Sequence, residues 1–450
     1  MEASGAVRDS NRQMSLILML DWAGNHGGGW RFSESADSDV ISPESIALAQ
    51  ARRAEEGKID AVFIADALDY KSEYGGGRPS KLHRVEPVTT LAAMAAVTER
   101  IGLIGTISTT FTHPYNVARY LGSLDHLSGG RAGWNIVTSF GTVAKNFGVE
   151  LPAHDDRYLI ADEHVRVVTE LWDSWADDAI INDRANGAWV REERISPIRF
   201  HGQHFDVEGP LNLSRPPQGW PVLVQAGSSS AGIDFAASYA EVVLAVQPTL
   251  AGAQAFYSDL KARTQAKGRD PGSVRVLPGV ILLLGETESA ARSLAADLGD
   301  LVDLNVARAT LRWMLNDVEL DDLDLDKPVP QARLSTPDAV DGQQGRFGLF
   351  YRLAVIERRP LRDLLRFAAA GSGHQVIVGT PEQAADQLQL WFANGAADGF
   401  VVEPPFVPGG LDAIVNGLIP ELQRRGLFRK EYQGSTLREH LGLRRPMGRK

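Results

Sequence analysis

Several of the chain's polar side chains are grouped in patterns that could do chemistry. "QAGSSSAGIDFAASYA" (225–240) runs from a strand-like segment through Gly-Ser-Ser-Ser into a small-residue helix. Unpaired N–H groups and serine hydroxyls at a helix N-terminus can seat a phosphate, which singles out Ser228 and Ser229. An ordinary serine N-cap accounts for the same letters. No Gly-Lys-Ser/Thr follows, so this is not a Walker A loop, and no GxGxxG follows a strand. "LPAHDDRYLIADEHVRVVTELWDSW" (151–175) sets His154, Arg157 and Tyr158 at the head of a helix, at offsets that share one face. Arg157 could grip a phosphate bidentately and Tyr158 could donate its hydroxyl. The alternative is a surface cap with Asp155 or Asp156 as N-cap.

A second group sits where apolar runs end. "RAGWNIVTS" (131–139) begins as a strand and finishes in Asn135, Thr138 and Ser139. "IDAVFIAD" (59–66) ends in Asp66, "IGLIGTIST" (101–109) carries Thr106, and "ADGFVVEPP" (397–405) ends with Glu403 beside two prolines. Two loops could overhang such a rim. "AGNHGGGWR" (23–31) offers His26 as a proton donor or substrate contact and Trp30 as a substrate contact. "ALDYKSEYGGGRPSKLHR" (67–84) adds Tyr70, Tyr74 and Arg78. A solvated glycine-rich loop is the plain alternative for the first.

Other chemistries lack their residues. The chain has no cysteine, which excludes disulfides, cysteine-bound metals and thiol catalysis. Its histidines show no HExxH or comparable spacing, so no metal is expected. There is no GxSxG elbow. A formal net charge of −11 argues against nucleic acid and anionic membranes as partners. No run approaches the roughly 20 apolar residues that span a bilayer. No basic cluster demands a polycarboxylate substrate, and the aromatics do not prove a sulfone.

The elements that must position these residues alternate strand with helix. Strand starts fall near 15, 60, 102, 132, 221, 241, 275 and 398. Eight near-continuous apolar strands separated by helices predict an α/β fold, a closed parallel (β/α)8 TIM barrel, as one domain over 1–450. Two spacings are too long for simple βα units, so insertions are expected at about 140–219, between strands 4 and 5, and 285–375, between strands 7 and 8. In such a barrel the chemistry lies at the C-terminal ends of the strands, where the polar groups above converge. In "GTPEQAADQLQLWFANGAADGFVV", Thr380 should cap a helix that Pro381 begins.

Together the stretches "GLIGTISTTFTHPYNVARYLGSLDHLSGGRAGWNIVTS", "HDDRYLIADEHVRVVTELWDSW", "GPLNLSRPPQGWPVLVQAGSSSAG" and "IVGTPEQAADQL" resemble the bacterial-luciferase-like flavin monooxygenases. The branch they look most like is that of nitrilotriacetate monooxygenase, dibenzothiophene-sulfone monooxygenase and pristinamycin IIA synthase. The resemblance covers roughly 15–440 and is weakest over 300–375. It implies a barrel that takes reduced FMN (FMNH2) from a separate NAD(P)H:flavin reductase. With O2 as co-substrate, such an enzyme oxidises a small organic molecule through a C4a-(hydro)peroxyflavin. By the same resemblance Asp66 lies beside the isoalloxazine, and Thr106, Asn135 and Thr138 meet the ring or its polar edge. His154 and Tyr158, with Ser228 and Ser229, hold the ribityl phosphate, and the HDDRY segment, whose residues already point to Arg157 as a phosphate partner, offers the cation that phosphate needs. The insertion at 285–375 is expected to act as a lid, the assembly as a homodimer or homotetramer, and the location as the cytoplasm. Rival readings are a flavin or deazaflavin enzyme of the same superfamily transferring hydride without O2, and a non-catalytic flavin-binding subunit.

Overall fold

The computed structural model describes residues 12–36, 42–68, 70, 82–139, 141–227, 229–336, 340 and 344–448. Nine parallel strands carry the fold: β1 (Ser15–Met19), β2 (Ala61–Ile64), β3 (Gly102–Ser108), β4 (Ala132–Val137), β5 (Val222–Gln225), β6 (Val242–Ala245), β7 (Arg275–Leu284), β8 (Gln375–Gly379) and β9 (Gly399–Glu403). Eight of them close a ring in which β1 to β7 pair in sequence and β9 bridges β7 and β1. This is the expected (β/α)8 barrel.

The strands are apolar throughout because both faces are buried. Ile17 turns inward to meet Ala61, Phe63, Ile104, Val224 and Leu277 inside the barrel. Leu16 and Leu18 turn outward to the helix layer, which is the two-residue alternation of a pleated strand. That layer includes α1 (Pro43–Glu56), α2 (Pro87–Ala95), α3 (Pro114–Ser128), α4 (His154–Trp172), α5 (Ser230–Tyr239) and α6 (Leu250–Ala266). Ser42 caps α1 through the Ser45 N–H, with Pro43 in its first turn.

One strand was not expected. β8 begins at Gln375, where the expected second insertion ends, and no strand start is read there from sequence. It pairs only with the upper half of β7, Val280–Leu284. β7 is ten residues long; its lower half pairs with β6 and its middle with β9, leaving an upper edge beyond the ring that β8 covers.

Residues 141–219 hold α4 and two short antiparallel hairpins, Ile180–Asp183 with Ala188–Val190 and Phe200–His201 with Asp206–Val207. Residues 285–374 hold α7 (Glu288–Asp300), α8 (Leu304–Met314), α9 (Gln344–Tyr351) and α10 (Leu361–Gly371). α8 to α10 bury their own apolar cluster, including Leu311, Phe347, Phe350 and Leu364. After β8, α11 (Pro381–Ala393) begins with a capping box between Thr380 and Gln383, as its sequence predicts.

The far end of the barrel is plugged by the chain's C-terminal segment. Leu437, Leu441 and Leu443 enter the interior cluster. Arg438, buried beside them, donates to Glu241 at 2.5 and 2.8 Å and to the Trp220 carbonyl at 3.0 Å. Among the described residues no helix is long and apolar enough to cross a membrane.

Candidate active site

A cavity of about 830 Å3 opens at the C-terminal ends of the strands. The strand register sets its inner edge. Thr106 on β3 stands opposite Asn135 on β4, and Asn135 Nδ2 donates to Thr106 Oγ1 at 2.9 Å. The threonine hydroxyl itself donates to the Ile64 carbonyl at 2.9 Å. With its amide nitrogen committed, Asn135 presents Oδ1 as a buried acceptor with no hydrogen-bond partner among the described residues. Gln225, at the end of β5, presents a second such acceptor, Oε1. Both residues line the cavity.

Beyond β4 the backbone turns at Ser139, whose φ of +54° is uncommon for a non-glycine residue. Its hydroxyl lies 2.7 Å from that of Ser108. Thr138 lines the cavity and its carbonyl accepts from the Thr110 hydroxyl at 2.7 Å.

The cavity's opposite wall joins α4 to the N-terminus of α5. His154, Arg157, Tyr158 and Ser229 all line it. The N-cap of α4 is Ala153, with no side-chain cap, so neither Asp155 nor Asp156 fills the capping role weighed from sequence. Instead Asp155 sits 2.9 Å from His154 Nδ1. Arg157 is buried. The Tyr158 ring stands between His154 and Phe235, 5.2 and 5.8 Å away. Ser229 caps α5 through the Gly232 N–H at 3.1 Å, so the plain N-cap role is met by a residue that also faces the cavity. A Cβ on Gly232 would fall 2.9 Å from the Tyr158 hydroxyl. Glycine there lets that hydroxyl reach the helix end. Ser228 lies outside the described residues, as do Tyr74 and Arg78.

The loop after β1 is packed rather than solvated, which corrects the plain alternative. His26 is buried and lines the cavity. The Gly27 N–H bonds to the Ala369 carbonyl, and a Cβ on Gly24, at φ +80°, would meet the Phe406 backbone at 2.4 Å. His26 Nδ1 accepts from the Gly28 N–H at 3.0 Å, so the neutral ring carries its proton on Nε2. Trp30 and Tyr70 are 43% and 67% exposed and are not among the cavity's lining residues. Asp66 does line it; burial pushes its carboxyl up from the ordinary range, against Arg84 and the Ala67 N–H.

The outer wall comes from the second insertion, the stretch expected to act as a lid, but none of the residues it contributes is singled out from sequence. It brings Arg346 of α9, Trp313 of α8 and His374, just before β8, to the cavity. His374 Nδ1 is 3.4 Å from Glu403 Oε1, and its Nε2 is 3.4 Å from Arg346 Nη2. Gly279 of β7 was the available signal, because a lone glycine in an apolar strand marks a close approach. A Cβ there would fall 2.1 Å from His374 Nδ1 and 2.6 Å from Glu403 Oε1. Among the described residues no group of three or more His, Asp or Glu could hold a metal.

Residues 31–398 match the sequence family described as luciferase-like monooxygenase. The chain belongs to that family. As a flavin-dependent monooxygenase it is 43% identical to nitrilotriacetate monooxygenase component A of Aminobacter aminovorans, over 97% of this chain and 98% of the relative. It is 41% identical to N-acetyl-S-(2-succino)cysteine monooxygenase of Bacillus subtilis (strain 168), over 98% and 99% of the two chains. Among solved structures, a riboflavin lyase with modified FMN and riboflavin superposes on the monooxygenase with a TM-score of 0.84, at 29% identity, covering 97% and 98% of the two chains.

Proposed function

We propose that the protein is the oxygenase of a two-component system. It takes FMNH2 from a separate NAD(P)H:flavin reductase and uses O2 to oxidise a small organic substrate. One observation carries the reading: a single cavity holds a helix N-terminus at one wall and two buried, partnerless acceptors at another. The site's chemistry fits the cofactor. Asn135 Oδ1 and Gln225 Oε1 suit the N–H donors of an isoalloxazine edge. The α5 N-terminus, Ser229, Tyr158 and Arg157 suit the phosphate of its tail, with Ser228 beside them in the sequence. Reduced FMN, when bound, supplies the oxygen chemistry that amino-acid side chains lack.

The chain's own residues orient and exclude. Thr106 fixes the Asn135 amide, and thereby which atom faces the ring. His26 holds a proton at Nε2 beside the cavity and is the candidate donor to it. Asp66 borders the ring's position, and the second insertion screens the mouth from water. The relative named as a component A supports a partner reductase. A single domain spanning the chain, working in the cytoplasm as a homodimer or homotetramer, completes the reading.

The experiment is oxygen uptake with an added flavin reductase, NADH and FMN, screened across sulfones, amines and aminocarboxylates. FMNH2-dependent oxygen consumption with an oxidised product is expected. Turnover with reduced deazaflavin and no oxygen consumption would instead establish hydride transfer.

A further inference from the structure

The cavity reaches past the barrel interior. Ile104 on β3 belongs to the interior cluster, so the two-residue alternation of a strand turns Thr106 inward and Ile107 outward. Ile136 of β4 stands opposite Ile107 in the register and faces the same way. Both isoleucines belong to the apolar cluster beneath α3 and α4. Yet both also line the cavity, as do Val88 in the first turn of α2 and Tyr120 of α3. A side lobe therefore lies between β3 and β4 and the helices that cover them.

Its walls are apolar. Val88 packs against the same cluster as the two isoleucines. Below it α2 meets β3 closely, since a Cβ on Gly105 would fall 2.8 Å from Leu91 Cδ1, and this contact gives the lobe a floor. Tyr120 is 47% exposed, so the lobe meets the surface on the α2–α3 side, away from the second insertion. Arg84 and Glu86, just before α2, line the cavity as well. The Glu86 carboxylate is spent on the Val88 and Thr89 N–H groups, at 2.8 and 2.7 Å.

We propose that this lobe is the site through which O2 reaches the reacting centre, with Val88, Ile107, Ile136 and Tyr120 as its walls. The inference rests on the monooxygenase reading of the cavity and goes beyond it by separating the path of the gas from that of the organic substrate. O2 is small and apolar, and passing through an apolar passage costs it none of the hydration that water or a polar substrate would lose there. Apolar cavities stay dry and hold apolar gases. The lobe ends at the strands that carry Thr106 and Asn135, so gas would arrive at the inner edge while the insertion side stays closed to water.

Xenon is the probe. Crystals of the full-length, flavin-free protein pressurised with xenon should show a xenon atom among Val88, Ile107, Ile136 and Tyr120. In Val88→Trp that atom should be lost. Anaerobic stopped-flow mixing with O2 should then show the protein-bound reduced flavin oxidising at least fivefold more slowly than in the wild type, with FMN affinity within twofold. Val88→Met fills less of the lobe, should fall in between, and carries the test if Val88→Trp does not fold. No xenon in the lobe of the wild type overturns the proposal, as does a wild-type oxidation rate in both Val88 variants. Failure to bind FMN with xenon in place would sink the flavin reading and oxygen as the occupant together, whereas FMN bound and an empty lobe overturns the oxygen path alone.

Discussion

Asn135 Nδ2 donates to Thr106 Oγ1 at 2.9 Å, and this bond decides which end of the amide faces the cavity. Without it the side chain could flip and offer a donor. The hydroxyl is itself held by the Ile64 carbonyl, so three neighbouring strands fix one acceptor.

Asn135→Leu should therefore damage flavin binding more than folding. The loss of one buried acceptor to a ring N–H is worth about 1–2 kcal/mol, or roughly a tenfold weakening of FMN binding. Replacing a polar side chain by an apolar one of similar size should leave the melting temperature within a few degrees. Flavin fluorescence titration alongside thermal melting separates the two effects. A large fall in melting temperature with unchanged FMN affinity would refute the assignment.

Gly232→Ala should move stability and affinity in opposite directions. Alanine is the better helix former, by up to about 1 kcal/mol. Its Cβ, however, would lie 2.9 Å from the Tyr158 hydroxyl and 3.2 Å from Ser229 Oγ. The Tyr158 hydroxyl would have to withdraw from the end of α5. Melting temperature should hold or rise while FMN affinity falls about tenfold. Equal affinity in the two proteins would remove the phosphate seat.

Most of the barrel was legible because its strands are short apolar runs with polar ends. β8 was not, because "QVIVG" (375–379) is a five-residue run directly between the expected insertion and the helix that Thr380 caps, and the strand joins no closed ring. The inner site was legible through the ends of β2, β3 and β4, where Asp66, Thr106, Asn135 and Thr138 break the apolar pattern. Arg346 and Trp313 were not, since nothing in a charged, helical excursion says which face turns back onto a cavity. Gln225 was hidden because glutamine ends many strands, and only the lack of a partner for Oε1 distinguishes it.

Arg438→Met should destabilise the protein severely. Removing the guanidinium leaves Glu241 with a largely buried charge, a change that typically loses about 3–5 kcal/mol. Combining it with Glu241→Gln should recover part of that loss, since no bare charge then remains. Denaturant melts of the two single variants and the double variant give the coupling. Strict additivity would show that the pair acts through separate contacts.

Stability should fall on acidification below the ordinary histidine range. His164 is fully buried, with its ring nitrogens placed so that Nε2 meets the Thr112 carbonyl at 2.8 Å and Nδ1 has no partner. Burial, the largest cause, pushes its pKa down from 6.5 to about 4. The unfolded chain therefore binds the proton first, and folding stability present above pH 6.5 is lost as pH falls toward 4. The loss is roughly 3 kcal/mol for this group. His164→Gln should flatten the slope of unfolding free energy against pH in that window. An unchanged slope would assign the acid sensitivity elsewhere, with buried His440, also pushed down to about 4, the next group to replace.

Trp313 tests whether the second insertion shields the reaction. It lines the cavity from α8 and also packs on the insertion's own apolar cluster. Trp313→Ala would open a channel for water at that side, and a reduced flavin reacting with O2 in a wet site releases hydrogen peroxide instead of oxidising substrate. Peroxide formed per oxygen consumed should rise severalfold while FMN affinity stays within about twofold. Trp313→Phe, which keeps most of the ring's bulk, should stay near the wild type. A peroxidase-coupled assay run beside an oxygen electrode reads the ratio directly, and equal ratios in all three proteins would mean that water is excluded by the barrel loops rather than by the insertion.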